Sequence, residues 1–293
     1  MNLRRSVRNM LILSAILLAV FLFFRMSDRS KKPAVEFPTL ESTSSGPTTR
    51  IIPQIAVGSL DGMYTYATII QMVNLNPAPV EASARFYNPD GAASSMSLSA
   101  RVGSAAAITF SGDLSPRKIP PAAALVVTGE PATPTAAVAT AWGRIVSSGA
   151  LSIVTFFEIR DIRRNSVFSR VGVPSSSNDL SRFVIPRMHN SSVKLDVAFA
   201  IVNTGSTPAV LVGALRDASG KTLGTKTVTV KPGEQLSGFA GQFFMPASPA
   251  PAAGAAAQEY QSMVFESASP QFAAFALALE GGVQTSFPVQ RLQ

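Results

Sequence analysis

Among its 293 residues the chain has no cysteine, one histidine and one tryptophan, and charged residues make up only 14%. Without cysteine there is no disulfide, no thiolate metal site, no thiol nucleophile and no lipobox for acylation. The single histidine, His189, stands in Arg187-Met188-His189-Asn190-Ser191-Ser192. Nucleophilic catalysis needs a base beside a Ser or Thr. Here that would have to be His189 with Asp196, and no G-x-S-x-G elbow accompanies them. Carboxylates are scattered singly, unlike the converging pair of a glycosidase. Asp61-Gly62 and Asn88-Pro89-Asp90-Gly91 lack the dense oxygen pattern of a calcium loop, and Gly241 and Gly281-Gly282 open no helix of a phosphate-binding fingerprint. The sequence therefore predicts neither catalysis, nor a cofactor, nor a metal.

Charge is unevenly placed. Residues 1–49 hold seven Lys/Arg (Arg4, Arg5, Arg8, Arg25, Arg29, Lys31, Lys32) against Asp28, Glu36 and Glu41, which accounts for half of the formal net charge of +8. These cations flank residues 10–24 (MLILSAILLAVFLFF), 15 residues without a charge. As a helix this run reaches about 22 Å, short of the ~30 Å hydrocarbon core, and Arg8 and Arg25 extend it by lifting their charges to the headgroups. No small-x-small pair follows Phe24, so an uncleaved signal anchor is favoured over a cleaved signal peptide. The expected arrangement is a transmembrane helix with its amino terminus inside, and everything beyond it periplasmic or extracellular. The Ser-, Thr-, Pro- and Lys-rich stretch at 27–49 reads as a solvated tether, making residues 1–49 an anchor and tether.

Beyond residue 50 one unit occurs twice. Val73-Asn74-Leu75-Asn76-Pro77 leads to Tyr87-Asn88-Pro89-Asp90-Gly91, and Val202-Asn203-Thr204-Gly205 leads to Arg216-Asp217-Ala218-Ser219-Gly220. Val80, Ala82, Ala84 and Phe86 alternate with polar residues, and Leu211, Gly213 and Leu215 share a face, as strands with one buried side require. Each is expected to form a hairpin through the turn that follows. Ile119-Pro120-Pro121 corresponds to Val230-Lys231-Pro232-Gly233 as a corner before the next strand. With no capped amphipathic helix after residue 50, the expected fold class is all-β: two tandem antiparallel β-sandwiches over 50–173 and 182–293, joined by a linker at 173–181.

Asn203-Thr204-Gly205-Ser206-Thr207-Pro208, followed by Pro232-Gly233-Glu234, resembles the N-x-G-x-x-P and P-G-E signature of immunoglobulin-like, cell-adhesion-related domains in bacterial exported proteins. The resemblance covers most of 182–293. In the first copy Asn76 replaces the Gly, and Gly and Glu are missing after Pro121. The resemblance implies immunoglobulin-like sandwiches with a structural, adhesive or scaffolding role in a bacterial envelope.

One local charge feature stands out beyond the anchor: Arg160, Arg163, Arg164, Arg170, Arg182 and Arg187, near the junction of the two units. A solvated surface explains it most simply. The alternative is an accessory module whose arginines hold an acidic glycan, another anionic polymer or an acidic envelope protein. Nucleic acid is not expected, because no aromatic platforms interleave with these arginines.

Overall fold

The computed structural model describes residues 46–60, 62–133, 136–164, 166–176, 179–187, 195–244, 260–280, 283–287 and 289–292. The apolar run at 10–24, most of the tether and His189 lie outside the described residues. Among those described, no helix is long and apolar enough to cross a membrane.

The regular structure of the described residues is almost entirely antiparallel strand. Its first part comprises β1 (Thr48–Leu60), β2 (Tyr64–Asn74), β3 (Val80–Tyr87), β4 (Ser97–Val102) and β5 (Ile108–Ser111). These are followed by β6 (Asp113–Ile119), β7 (Ala124–Gly129), β8 (Ala139–Ser147), β9 (Leu151–Asp161) and β10 (Ser166–Gly172). The second part runs through β11 (Arg182–Pro186), β12 (Leu195–Asn203), β13 (Ala209–Arg216), β14 (Thr222–Val230) and β15 (Gln235–Phe239). The five-residue helix α1 (Ala240–Phe244) then precedes β16 (Ser262–Glu266), β17 (Phe272–Glu280), β18 (Val283–Phe287) and β19 (Gln290–Arg291).

Strand pairing repeats almost element for element. In the first lobe one layer orders β6-β3-β8-β1 and the other β7-β2-β9-β10. The second lobe has β14-β13-β16-β11 and β15-β12-β17-β18 in the same positions. Strand β1 shifts register between Ile52 and Ile55, and its last residues, Gly58 to Leu60, turn to pair with β2, which joins both layers of the first lobe into one ten-stranded sheet. Alternation puts Val80, Ala82, Ala84 and Phe86 of β3 into a core shared with Ile70, Met72, Leu125 and Ile153 from the opposite layer. Leu211 and Leu215 of β13 do the same against Phe199, Ile201 and Phe272.

The expected hairpin after β13 is present: β14 follows Asp217–Gly220 and pairs with β13 throughout. The expected hairpin after β3 is not. Beyond its turn the chain crosses to the other layer, where β4 pairs with β5 and β7, and the neighbour of β3 is β6. The reason is burial: Met96, Leu98 and Ala100 carry their apolar face into the core from the second layer, so the inserted β4–β5 pair is drawn there.

Each lobe is closed by one buried asparagine. Asn74 Nδ2 donates to Ala78 O (2.9 Å) and Ile119 O (3.0 Å), while Oδ1 accepts from Asn76 N (2.8 Å). Asn203 Nδ2 donates to Thr207 O and Val230 O (both 2.9 Å), and its Oδ1 accepts from Gly205 N (3.0 Å). The backbones match as well: Asn74 bonds Ala123 O and Ala122 N, and Asn203 bonds Glu234 O and Gly233 N. The departures of the first copy from the signature have physical compensations. Ala122 takes the left-handed conformation of Gly233, with φ of 59° against 72°. Glu234 accepts from the Lys231 amide at 2.8 Å, whereas Pro120 in the first copy has no amide hydrogen to satisfy.

Asn203→Ala takes the side-chain bond from the buried Val230 carbonyl and from the Gly205 amide, while the Thr207 carbonyl keeps Gln271 Nε2, so it is expected to lower unfolding free energy by about 2 kcal/mol in urea titrations. Ala122→Gly, by relieving the left-handed residue, is expected to raise it by roughly 0.5–1 kcal/mol in the same measurement.

Candidate functional site

The six junction arginines fall into two groups. Arg160, Arg163, Arg164 and Arg170 belong to β9, β10 and the turn between them, whereas Arg182 opens β11 and Arg187 follows it. On β9, inward Ile153, Phe157 and Ile159 alternate with outward residues, which puts Glu158 on the outer face opposite Ala67 of β2 and Arg170 of β10. Arg160 Nε donates to Glu158 Oε1 at 2.5 Å and Arg170 Nε to Oε2 at 2.7 Å. The carboxylate is withdrawn from water while its partners stay at the surface: its side chain is 3% exposed, against 41% for Arg160 and 44% for Arg170. Arg160 also reaches Glu130 at 3.4 Å, and Arg170 lies over the Phe156 ring at 5.7 Å.

Desolvation is the strongest single influence on Glu158 and would raise its pKa. The hydrogen bonds and charges of Arg160 and Arg170 together outweigh it and hold the carboxyl below the ordinary glutamate range. The same contact raises Arg160, its bond to Glu158 being the leading cause. Two guanidiniums set against Glu158 and Glu130 make a neutral cluster, in which Arg170 ties β10 to β9 and Arg160 braces Glu158 within β9 and reaches the end of β7 at Glu130.

The other four are placed differently. Arg164 pairs with Asp161 at 3.8 Å, and Asp161 Oδ1 accepts from the amides of Arg163 and Arg164. Arg182 forms a cross-strand pair with Glu266 at 2.8 Å. Arg187 stacks on the Tyr260 ring at 4.7 Å and donates to the Tyr260 carbonyl. Among the described residues no acid is paired with the Arg163 guanidinium, so the charge open to an anionic polymer narrows to the β9–β10 turn, at Arg163 and Arg164. No group of three or more Asp, Glu or His able to hold a metal ion occurs among the described residues.

A second constellation, which the sequence reading missed, joins the lobes. Trp142 points outward from β8, stacks on Tyr87 at 4.2 Å, and is buried with Ile51 against Val202 and Ala273 of the second lobe. Its Nε1 donates to Gly233 O at 2.9 Å, and Arg144, two residues on, donates from Nη2 to Thr204 O at 2.7 Å. Gln235 donates its amide to Pro89 O and its Nε2 to Pro53 O and Gln54 Oε1. The turn ending at Gly91 meets the Pro232-Gly233 corner so closely that a Cβ on Gly91 would lie 2.9 Å from Pro232 O. The connecting segment is tied to both sides, Ser176 bridging to Ile51 and Leu180 to Phe272. The signal available in the sequence was the parity of β8: with Ala141, Gly143 and Ile145 inward, a tryptophan at 142 has to face out, and an outward tryptophan needs a cover.

Compared with known proteins, the chain matches no family model and no curated protein sequence.

Because the Glu158 pKa is depressed on folding, its contribution to stability is full above the ordinary glutamate range and is lost as pH falls through the folded value. Glu158→Gln is therefore expected to cost about 2 kcal/mol at about pH 7. That gap to the parent protein should narrow as pH falls below the ordinary glutamate range and through the lower folded value, measured by urea unfolding across pH.

Proposed function

We propose that this is a membrane-anchored, extracytoplasmic protein without catalytic activity, in which two immunoglobulin-like sandwiches over 50–173 and 182–293 form a structural, adhesive or scaffolding unit. The immunoglobulin-like reading draws support from the layers. An immunoglobulin sandwich sets its second and fifth principal strands in one sheet and its third and sixth in the other. Here β2 lies with β7 and β3 with β8, and likewise β12 with β15 and β13 with β16. The first and last strands exchange places relative to that scheme, since β1 and β11 join the sheet of β8 and β16, and β9 and β17 that of β2 and β12.

The observation that carries the structural reading is the seam at Trp142. It is built from backbone carbonyls and tight glycine turns, and it couples the two lobes through their corners. A spacer that transmits force or holds a distance needs such a joint; a substrate-closing pair of domains needs a hinge. The anchor reading draws support from residues 10–24 with their basic flanks.

Trp142→Ala removes a buried aromatic and the bond to Gly233. It is expected to cost about 3 kcal/mol and to split one thermal transition into two, read by calorimetry. The full chain is expected to stay in the membrane pellet after alkaline carbonate washing and to be released when residues 1–45 are deleted. Release of the full chain by the wash would refute the anchor.

A further inference from the structure

Antiparallel strands send alternate connections to opposite ends of a lobe. In the first lobe the connections β2–β3, β4–β5, β6–β7 and β8–β9 share one end, and short bonds hold them together. Asn76 Nδ2 donates to Ala150 O at 2.6 Å, Ala122 N to Asn74 O at 3.0 Å, and Gly103 N to Ala124 O at 2.9 Å. In order these connections read LNPAP, GSAAA, PPAA and SGA, at 75–79, 103–107, 120–123 and 148–150, and none contains a charged residue. Leu75 is 56% exposed, more than any other large apolar side chain among the described residues, and Pro77, Pro79, Ala106 and Pro121 are exposed with it. Val146, near the end of β8, is 44% exposed just behind them.

The other three ends of the lobes differ. The opposite end of the first lobe carries Asp90, Glu130, Arg163 and Arg164 in its connections, and the far end of the second carries Asp217 and Lys221. The second-lobe corner that corresponds to the uncharged loops carries Lys231 and Glu234, and the first lobe covers it through Gly91 and Trp142. Behind the uncharged loops the first charges are Arg50, Arg101 and Lys118 against Glu81, which lies opposite Lys118 in register. An apolar tip is thus collared by net positive charge.

The way the chain enters the lobe gives the occupant of this end. Thr48, at the start of β1, pairs with Ser147, the residue before SGA, with their hydroxyls 2.8 Å apart, so the residues preceding Thr48 join the lobe here. We propose that these uncharged connections rest in the headgroup region of the bilayer that holds residues 10–24, with Leu75 toward the acyl chains and Arg101 and Lys118 among lipid phosphates. The contact rests on the anchor reading above and adds a second attachment to it. Loops without charge lose little when water is removed from them, and a basic collar is drawn to anionic lipid. Residues 25–47 reach at most about 80 Å when fully extended. A surface held that near a bilayer adheres through contacts too weak to recruit a free protein.

The cysteine-free chain makes the test direct. Leu75→Cys and Ala106→Cys are each labelled with bimane in the full chain, with Ser219→Cys in the far turn of the second lobe as control. The chains are reconstituted in phosphatidylcholine vesicles, with and without phosphatidylglycerol, that contain lipid spin-labelled near the headgroup. Quenching at Leu75→Cys and Ala106→Cys is expected to exceed that at Ser219→Cys by about fivefold and to rise with phosphatidylglycerol. Adding Ala106→Asp to the Leu75→Cys chain is expected to cut its quenching by about threefold, while circular dichroism shows the fold retained. Quenching no greater than at Ser219→Cys in either vesicle would overturn the contact. So would blue-shifted emission without quenching, which would mean that protein covers the loops in place of lipid. A chain that leaves the vesicles removes the anchor and the contact together, whereas one that stays with unquenched loops removes the contact alone.

Discussion

A carboxamide with no access to water holds each lobe in shape. Asn74 and Asn203 each donate twice from Nδ2 to carbonyls and accept at Oδ1, Asn203 from the Gly205 amide and Asn74 from both the amide and the side-chain Nδ2 of Asn76. One of the accepting carbonyls is local, four residues on, and the other is 45 residues away in the first lobe and 27 in the second. The side chain therefore pins the end of one strand to a corner that precedes a strand in the same layer. Burying an amide is costly unless every bond is made, so the corner tolerates little adjustment. The difference in separation is the room taken by β4 and β5, which the first lobe accommodates without disturbing the corner.

The seam between lobes is built on that corner. Trp142 donates to Gly233 O, Arg144 to Thr204 O, and Gly91 abuts Pro232, so the same residues that turn the chain in the second lobe receive the first. Because the asparagine fixes the corner, it also fixes the docking surface. Stability of the second lobe and its position against the first are coupled by this sharing. The two turns picked out as repeats of each other thereby take on different work: the one after β3 serves as a joint, and the one after β13 stays a hairpin turn, held by Asp217 accepting from Ser219 and Lys221.

Polar chemistry outside the corners is likewise turned inward. Glu158 sits on the outer face of its sheet yet is closed off by Arg160 and Arg170, an arrangement that fastens the last strand of the first lobe. Arg182 and Arg187 meet Glu266 and Tyr260. A run of arginines in sequence is thus divided among separate local contacts in space, and what remains outward is the turn at Arg163 and Arg164.

By itself the sequence determined strand identity and facing, because period-two burial in β3 and β13 is a local property that alternation of Val80, Ala82, Ala84 and Phe86 reveals directly. It also determined the repeat and its corners, because Asn, Pro and Gly at turns act through their own backbone. Tertiary structure alone decided which strands became neighbours, sending β4 and β5 to the opposite layer where their apolar face found a core. It alone decided that Glu158 answers two arginines and that Trp142 is covered by another lobe. Those outcomes depend on groups far apart in the chain meeting in space, and no local pattern of residues encodes the distance between them.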